Sequence, residues 1–149
     1  MGSRVLLDAN LLISYLLSPK NQSIVIESLF DRIFAMEITL VLPTQVLTET
    51  FETIASKPYL AERISTSMIE TFQRAIVAVA DVTSDRPEVV SLVRDPKDDY
   101  LIAHAIHSQV DYLVTGDRDL LVLGDVLAPL KIRTPQAFLD ELDSTSGGS

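Results

Sequence analysis

Asp95-Pro96-Lys97-Asp98-Asp99-Tyr100-Leu101-Ile102-Ala103-His104-Ala105, followed shortly by Asp111-Tyr112-Leu113-Val114-Thr115-Gly116-Asp117-Arg118-Asp119-Leu120, is the stretch that decides the fold. With Asp95 as N-cap, Pro96 takes the first helical position, and the helix is strongest over Tyr100 to Gln109. Tyr112-Leu113-Val114 is then a short apolar run of the kind found in strands buried on both faces. Working outward, similar runs occur at Val5-Leu6-Leu7, Thr39-Leu40-Val41-Leu42, Ile76 to Val82 and Lys131-Ile132-Arg133. Helical periodicity lies between them. Ile24, Ile26, Leu29, Phe30 and Ile33 fit one helix, Leu47, Thr50, Phe51 and Ile54 another, and Ala61 to Arg74 a third. Pro135 opens a last helix that Phe138 and Leu142 dock on the core. Strands alternating with helices predict an α/β domain with a mainly parallel sheet. One domain over residues 1–143 is expected, with 144–149, Ser-Thr-Ser-Gly-Gly-Ser, as a flexible tail.

In such a sheet, function gathers beyond the carboxyl ends of the strands. Acids that follow a strand or open the next helix are therefore the residues to weigh. Asp8 ends Val5-Leu6-Leu7, and Asp117 follows Leu113-Val114-Thr115-Gly116, where Gly116 is expected to permit a tight backbone approach. Each also has a purely local explanation, as a turn residue or helix cap. Asp98 carries more geometry. At about 100° per residue, Leu101, Ile102, Ala105 and Ile106 form one apolar arc with Asp98 near its middle. An acid on that face points into the cleft, whereas a capping role beside Asp95 needs no inward face; Asp99 is expected to be solvated. Glu49 is weaker. The apolar arc of its helix centres on Thr50 and Ile54, so periodicity alone leaves Glu49 and Glu52 as solvated acids.

Composition bounds the chemistry. The chain has 149 residues, nearly half of them hydrophobic, and no cysteine. Thiolate chemistry, disulfides and cysteine metal sites are thereby excluded. His104 and His107 are three apart on one helix, but with no third ligand of matching type they read as packed or surface imidazoles. There is no Gly-rich phosphate loop and no G-x-S-x-G serine. The opening apolar run is too short for a signal peptide, and no stretch approaches the roughly 18–20 apolar residues that span a bilayer. A cytoplasmic location, away from membranes, is expected. The net charge of −9 opposes the basic footprint of a nucleic-acid binder. On charge alone the chain suits a small-molecule enzyme or a partner of a basic protein. Metal bound among carboxylates reduces the local charge, and a small basic partner can supply phosphate contacts.

Together these segments resemble the PIN-domain family across almost the whole chain, from Val5 to about Leu142. The carriers are Leu6-Leu7-Asp8-Ala9-Asn10, Leu47-Thr48-Glu49, the two stretches quoted first, and Thr134-Pro135-Gln136-Ala137-Phe138-Leu139. Within that family the likeness is nearest to toxins of toxin–antitoxin systems. The resemblance implies a three-layer α/β/α domain around a mainly parallel five-stranded sheet. It also implies four acids, Asp8, Glu49, Asp98 and Asp117, around divalent metal at the strand tips. Asn10 and Thr115 match supporting polar positions, and Asp119 a further ligand. Carboxylate oxygens are hard donors that suit Mg²⁺ or Mn²⁺, at which a water can be activated to hydrolyse a phosphodiester. The expected function is a metal-dependent endoribonuclease acting as a type II toxin. RNA as substrate, a cognate antitoxin, and a homodimer or higher assembly follow as partners, with the Phe30–Phe34 and Leu60–Phe72 regions as either interface or core.

Two other readings compete. A catalytically silent PIN scaffold would serve protein–protein interaction, yet it has no need for four mutually repelling carboxylates. A Mg²⁺-dependent phosphotransfer domain also places acids on strand tips. One such class requires a second Asp where this chain has Asn10; the other requires a Lys after the last strand, and Lys131 precedes Ile132 instead.

Overall fold

The computed structural model describes residues 2–17, 24–88 and 96–147. In chain order the elements are β1 (Arg4–Leu7), α1 (Ala9–Leu17), α2 (Ile24–Phe34), β2 (Thr39–Pro43), α3 (Thr44–Ser56), α4 (Pro58–Arg63), α5 (Thr66–Val79), β3 (Asp81–Thr83), α6 (Pro96–His107), β4 (Tyr112–Val114), α7 (Arg118–Leu121), β5 (Lys131–Arg133) and α8 (Pro135–Gly147). The five strands form one sheet in the order β3-β2-β1-β4-β5, and every pairing is parallel. Helices flank it, giving a PIN-like three-layer α/β/α architecture. Val5 and Leu6 on β1, Leu40 on β2 and Leu113 and Val114 on β4 have no solvent exposure, as strands covered on both faces require.

β1 is the axis of the sheet. Val5 faces Leu40 on one side and Tyr112 on the other, and Leu6 faces Val41 and Leu113. Around it α1, α2 and α5 meet in an aromatic cluster, with Tyr15 stacked on Phe30 at 4.2 Å between centroids and Phe72 and Phe34 alongside. Phe30, Leu60 and Phe72 thus belong to the chain's own core. α8 packs on β4 and β5 through buried Phe138, with Leu142 partly buried beside it. Arg133 and Glu141 pair at 2.5 Å, while Tyr112 donates to the same carboxylate at 3.1 Å.

Five details differ from the sequence expectation. Residues Ile76 to Val79 are the last turn of α5, and the strand expected over Ile76 to Val82 shortens to β3. The reason is periodicity. Phe72 and Ile76, one turn apart, are buried while Val77 and Ala78 face water, which is a helical stripe. The helix expected over Ala61 to Arg74 is two helices, because the Ser65 side chain accepts from the Met68 amide and starts α5 afresh. α1 was no part of the sequence reading. Its run Ala9-Asn10-Leu11-Leu12-Ile13-Ser14-Tyr15-Leu16-Leu17 buries residues almost all round and so shows little amphipathic signal. α6 ends at His107, two residues early, where Gln109 turns left-handed with φ 54° and the Val110 amide reaches back to the Ala105 carbonyl. Asp95, expected to cap α6, lies outside the described residues. α8 runs on through Gly147, past the point at which the tail was expected to begin.

The helical reading of Ile76 has a measurable consequence. Ile76→Ala should cost about 2–5 kcal/mol in urea denaturation, and Val77→Ala less than about 0.5 kcal/mol. Equal, large costs at both positions would indicate a strand buried on both faces instead.

Candidate metal centre at the carboxyl edge of the sheet

From β1 the chain steps outward through β2 to β3, then returns to the opposite side of β1 for β4 and β5. The tips of β1 and β4 therefore adjoin at the point where the order reverses, which is where an open α/β sheet leaves a crevice. Asp8 and Thr115 are the next residues after those two strands. The Asp8 amide donates to the Val114 carbonyl at 3.2 Å, carrying the ladder one residue further. The Thr115 hydroxyl donates to Asp8 Oδ2 at 2.9 Å and accepts from the Asp117 amide at 3.0 Å. One buried hydroxyl thus ties the two strand tips together. Asp8 Oδ1 accepts from the Asn10 amide at 2.9 Å, and Asp117 Oδ1 from the Asp119 amide at 2.8 Å. Both acids make the local turn and cap bonds that their positions favour, and both still sit at the crevice.

α6 delivers the third acid. Asp98 is 7% exposed, on the inward face of the first turn, as the helical wheel requires. One carboxylate oxygen from each of Asp98, Asp117 and Asp119 lies within 4.8 Å of the others. Around an octahedral ion with ligands at about 2.1 Å, neighbouring oxygens sit roughly 3 Å apart and opposite ones about 4 Å. Small side-chain rotations close that difference, so an all-oxygen set of this kind is compatible with a divalent cation. Asp8 joins the group through Thr115 rather than as a member of the triad.

Glu49 is half-buried and accepts a hydrogen bond from the Tyr100 hydroxyl. Burial, then the bond to Glu49, then the charges of Glu49 and Asp8, push the Tyr100 hydroxyl far above its ordinary value. It stays a donor throughout the physiological range. One turn along, His104 Nε2 meets Gln45 Oε1 at 2.7 Å. Burial first, then the charges of His107 and Arg86, lower the His104 pKa against a weaker opposing effect of Asp85. This buried, neutral imidazole is a packed group and not half of a metal pair; His107 faces Asp85 at the surface.

The structure brings Asp98, Asp117 and Asp119 into one cluster and ties Asp8 to it through Thr115, while Glu49 pairs with Tyr100 on α6 and is no member of the cluster. The Asn10 side chain is exposed, and its amide is what touches Asp8. Three expectations are corrected. Asp99 is 5% exposed rather than solvated, and it lines one cavity with Pro87 and Glu88 of the segment after β3. Ile106, placed on the apolar arc, is correspondingly 52% exposed. Gly116 makes no close approach: a side chain there would meet open space. Tyr100 and the Gln45–His104 pair were missed. Their signal was a matched spacing of four residues on two helices, which carries meaning only once those helices are known to face each other.

Thr115→Val should destabilise the chain by about 1–3 kcal/mol in chemical denaturation, since the Asp117 amide and Asp8 lose their shared partner. Thr115→Ser should recover most of that loss; an unchanged midpoint in the valine variant would contradict the bridge. His104 gives a pH prediction of definite sign. Its folded pKa is depressed, so the unfolded chain binds the extra proton, and stability falls as pH drops through about 6.5 and below. Denaturation midpoints between roughly pH 7.5 and pH 5 should fall more steeply for the wild type than for His104→Phe. Parallel slopes would remove His104 as the titrating group.

The PIN domain family matches residues 4–119. No curated protein matches the chain. Among solved structures, the crystal structure of FitAcB from Neisseria gonorrhoeae is similar in fold, with a TM-score of 0.53 at 12% identity, covering 89% of this chain and 98% of that one. The family match extends from β1 to Asp119 and so takes in all four strand-tip and helix acids together with the parallel sheet that carries them. This chain belongs to the PIN-domain family.

Proposed function

We propose that the chain is a metal-dependent endoribonuclease, and that within one PIN domain over residues 1–143 its active site consists of Asp8, Glu49, Asp98 and Asp117. PIN domains are generally nucleases. The observation that carries the reading is the placement of the Asp98, Asp117 and Asp119 carboxylates together at the sheet's switch point. Asp8, Asp98 and Asp117 are the principal metal ligands, with Glu49 completing the set and Asp119 available to a second ion. Mg²⁺ or Mn²⁺ suits hard oxygen donors, and when bound it offsets phosphodiester charge and activates the attacking water.

The chain's own contribution is preorganisation. Asp8 is oriented by two donors, the Asn10 amide and the Thr115 hydroxyl, and Asp117 by the Asp119 amide. Both carboxylates are thus oriented before substrate arrives, which limits the reorganisation needed during reaction. Burial of Asp98 keeps bulk water from its inner side. In the larger reading the protein is a cytoplasmic type II toxin with a cognate antitoxin, and it assembles as a homodimer or higher oligomer. That reading rests on the family motifs. Among the described residues no helix is long and apolar enough to cross a membrane.

The test is cleavage of a panel of structured and single-stranded RNAs with Mg²⁺, Mn²⁺ or EDTA. Wild type should cut with metal and stop with EDTA. Asp8→Asn and Asp98→Asn should each lose about 100-fold or more with folding intact, the upper end of what even outer-shell changes cost. Absence of cutting on every RNA, or cutting indifferent to both substitutions, would favour a catalytically silent scaffold.

A further inference from the structure

We propose that Tyr100 is a positioning residue whose hydroxyl aims the Glu49 carboxylate at the acidic cluster, so that Glu49 holds a divalent cation there only while Tyr100 anchors it. The inference rests on the metal-site reading above and adds a residue that the reading does not need.

Gln45 and Glu49 lie four residues apart on α3, and Tyr100 and His104 four apart on α6. Residues at that spacing share one helix face. The two faces meet as a ladder with Glu49 on Tyr100 and Gln45 on His104. The rungs also touch each other, the Tyr100 and His104 rings standing edge to face at 5.6 Å and 84°. The His104 rung is 1% exposed, and its Nδ1 has no hydrogen-bond partner among the described residues. A buried imidazole in that state is neutral, so this rung sets the register of α3 against α6 without adding charge. It thereby delivers the second rung to the site. Tyr100 follows Asp98 by two residues, and its hydroxyl feels the charge of Asp8 as well as that of Glu49. Of the acids proposed as ligands, Glu49 bonds this hydroxyl directly and Asp8 acts on it through charge alone.

A glutamate side chain has three rotatable bonds, and an unanchored one loses that freedom when it ligates an ion. Fixing Oε2 to Tyr100 settles the plane of the carboxylate beforehand. Hydrogen-bond partners that orient ligating carboxylates in this way typically change metal affinity or activity 10–100-fold when removed.

The experiment compares wild type, Y100F, E49A and the double variant. It reads Mn²⁺ affinity by titration calorimetry, the metal-free thermal midpoint, and RNA cleavage against Mn²⁺ concentration. Y100F keeps the ring, so its thermal midpoint should stay near that of wild type. Its Mn²⁺ affinity should fall about 10-fold, with cleavage restored at saturating Mn²⁺. In the E49A background, Y100F should add little further loss, because its effect passes through Glu49. Equal losses with and without Glu49, or an unchanged Mn²⁺ affinity in a wild type that does bind and cut, would overturn the role of Tyr100 alone. Loss of the fold in Y100F would overturn it too, by making the hydroxyl structural. A wild type that binds no Mn²⁺ would overturn the metal-site reading, and the positioning role with it.

Discussion

A single hydroxyl, that of Thr115, decides how the two halves of the sheet present their tips. β1 is hydrogen-bonded along both edges, to β2 on one side and β4 on the other, so its end cannot shift without disturbing both ladders. Thr115 adds a side-chain bond beyond the last backbone one, giving its proton to Asp8 and taking that of the Asp117 amide. The acids at the crevice are therefore placed by the same register that builds the core. Val5, Leu6, Leu113 and Val114 are buried because β1 and β4 pair, and Asp8 and Asp117 come together for the same reason. Packing and site share one cause.

Crowded carboxylates are costly unless something holds them. Here the holding groups are two backbone amides, of Asn10 and Asp119, and two hydroxyls, of Thr115 and Tyr100. None of these donors is a cation. Such an arrangement of donors orients the acids without itself cancelling their charge. It also fits a chain of net charge −9, which spends described arginines elsewhere, Arg4 on Asp81, Arg32 on Asp143 and Arg133 on Asp125 and Glu141.

Most of the architecture was legible in the sequence because strands buried on both faces are short, branched and apolar; β1, β2 and β4 announce themselves that way. The signal failed where helix and strand draw on the same residues, at Ile76 to Val79, and where α1 is too uniformly apolar to show a polar face. Asp98 was readable from one helix alone, since its neighbours on the wheel are core residues. Glu49 was not. It is half-buried against Tyr100, a residue 51 positions away on another helix, and family likeness alone singled it out. Asp99 failed for a related reason: a wheel drawn for an isolated helix knows nothing of what packs around it, and Asp99 is buried.

The Thr115–Asp8 bond joins residues 107 positions apart. At ribosomal rates of about 5–20 residues per second, roughly 5–20 s separate the emergence of the first partner from that of the second. From the emergence of β2 until that of β4, β1 can pair on one side and has nothing on its other edge, an open row of backbone donors and acceptors of the kind that recruits stray strands. The central strand of the finished sheet is thus a border strand during biosynthesis. Its brevity, four residues, limits what a wrong neighbour could gain before β4 arrives to claim the place.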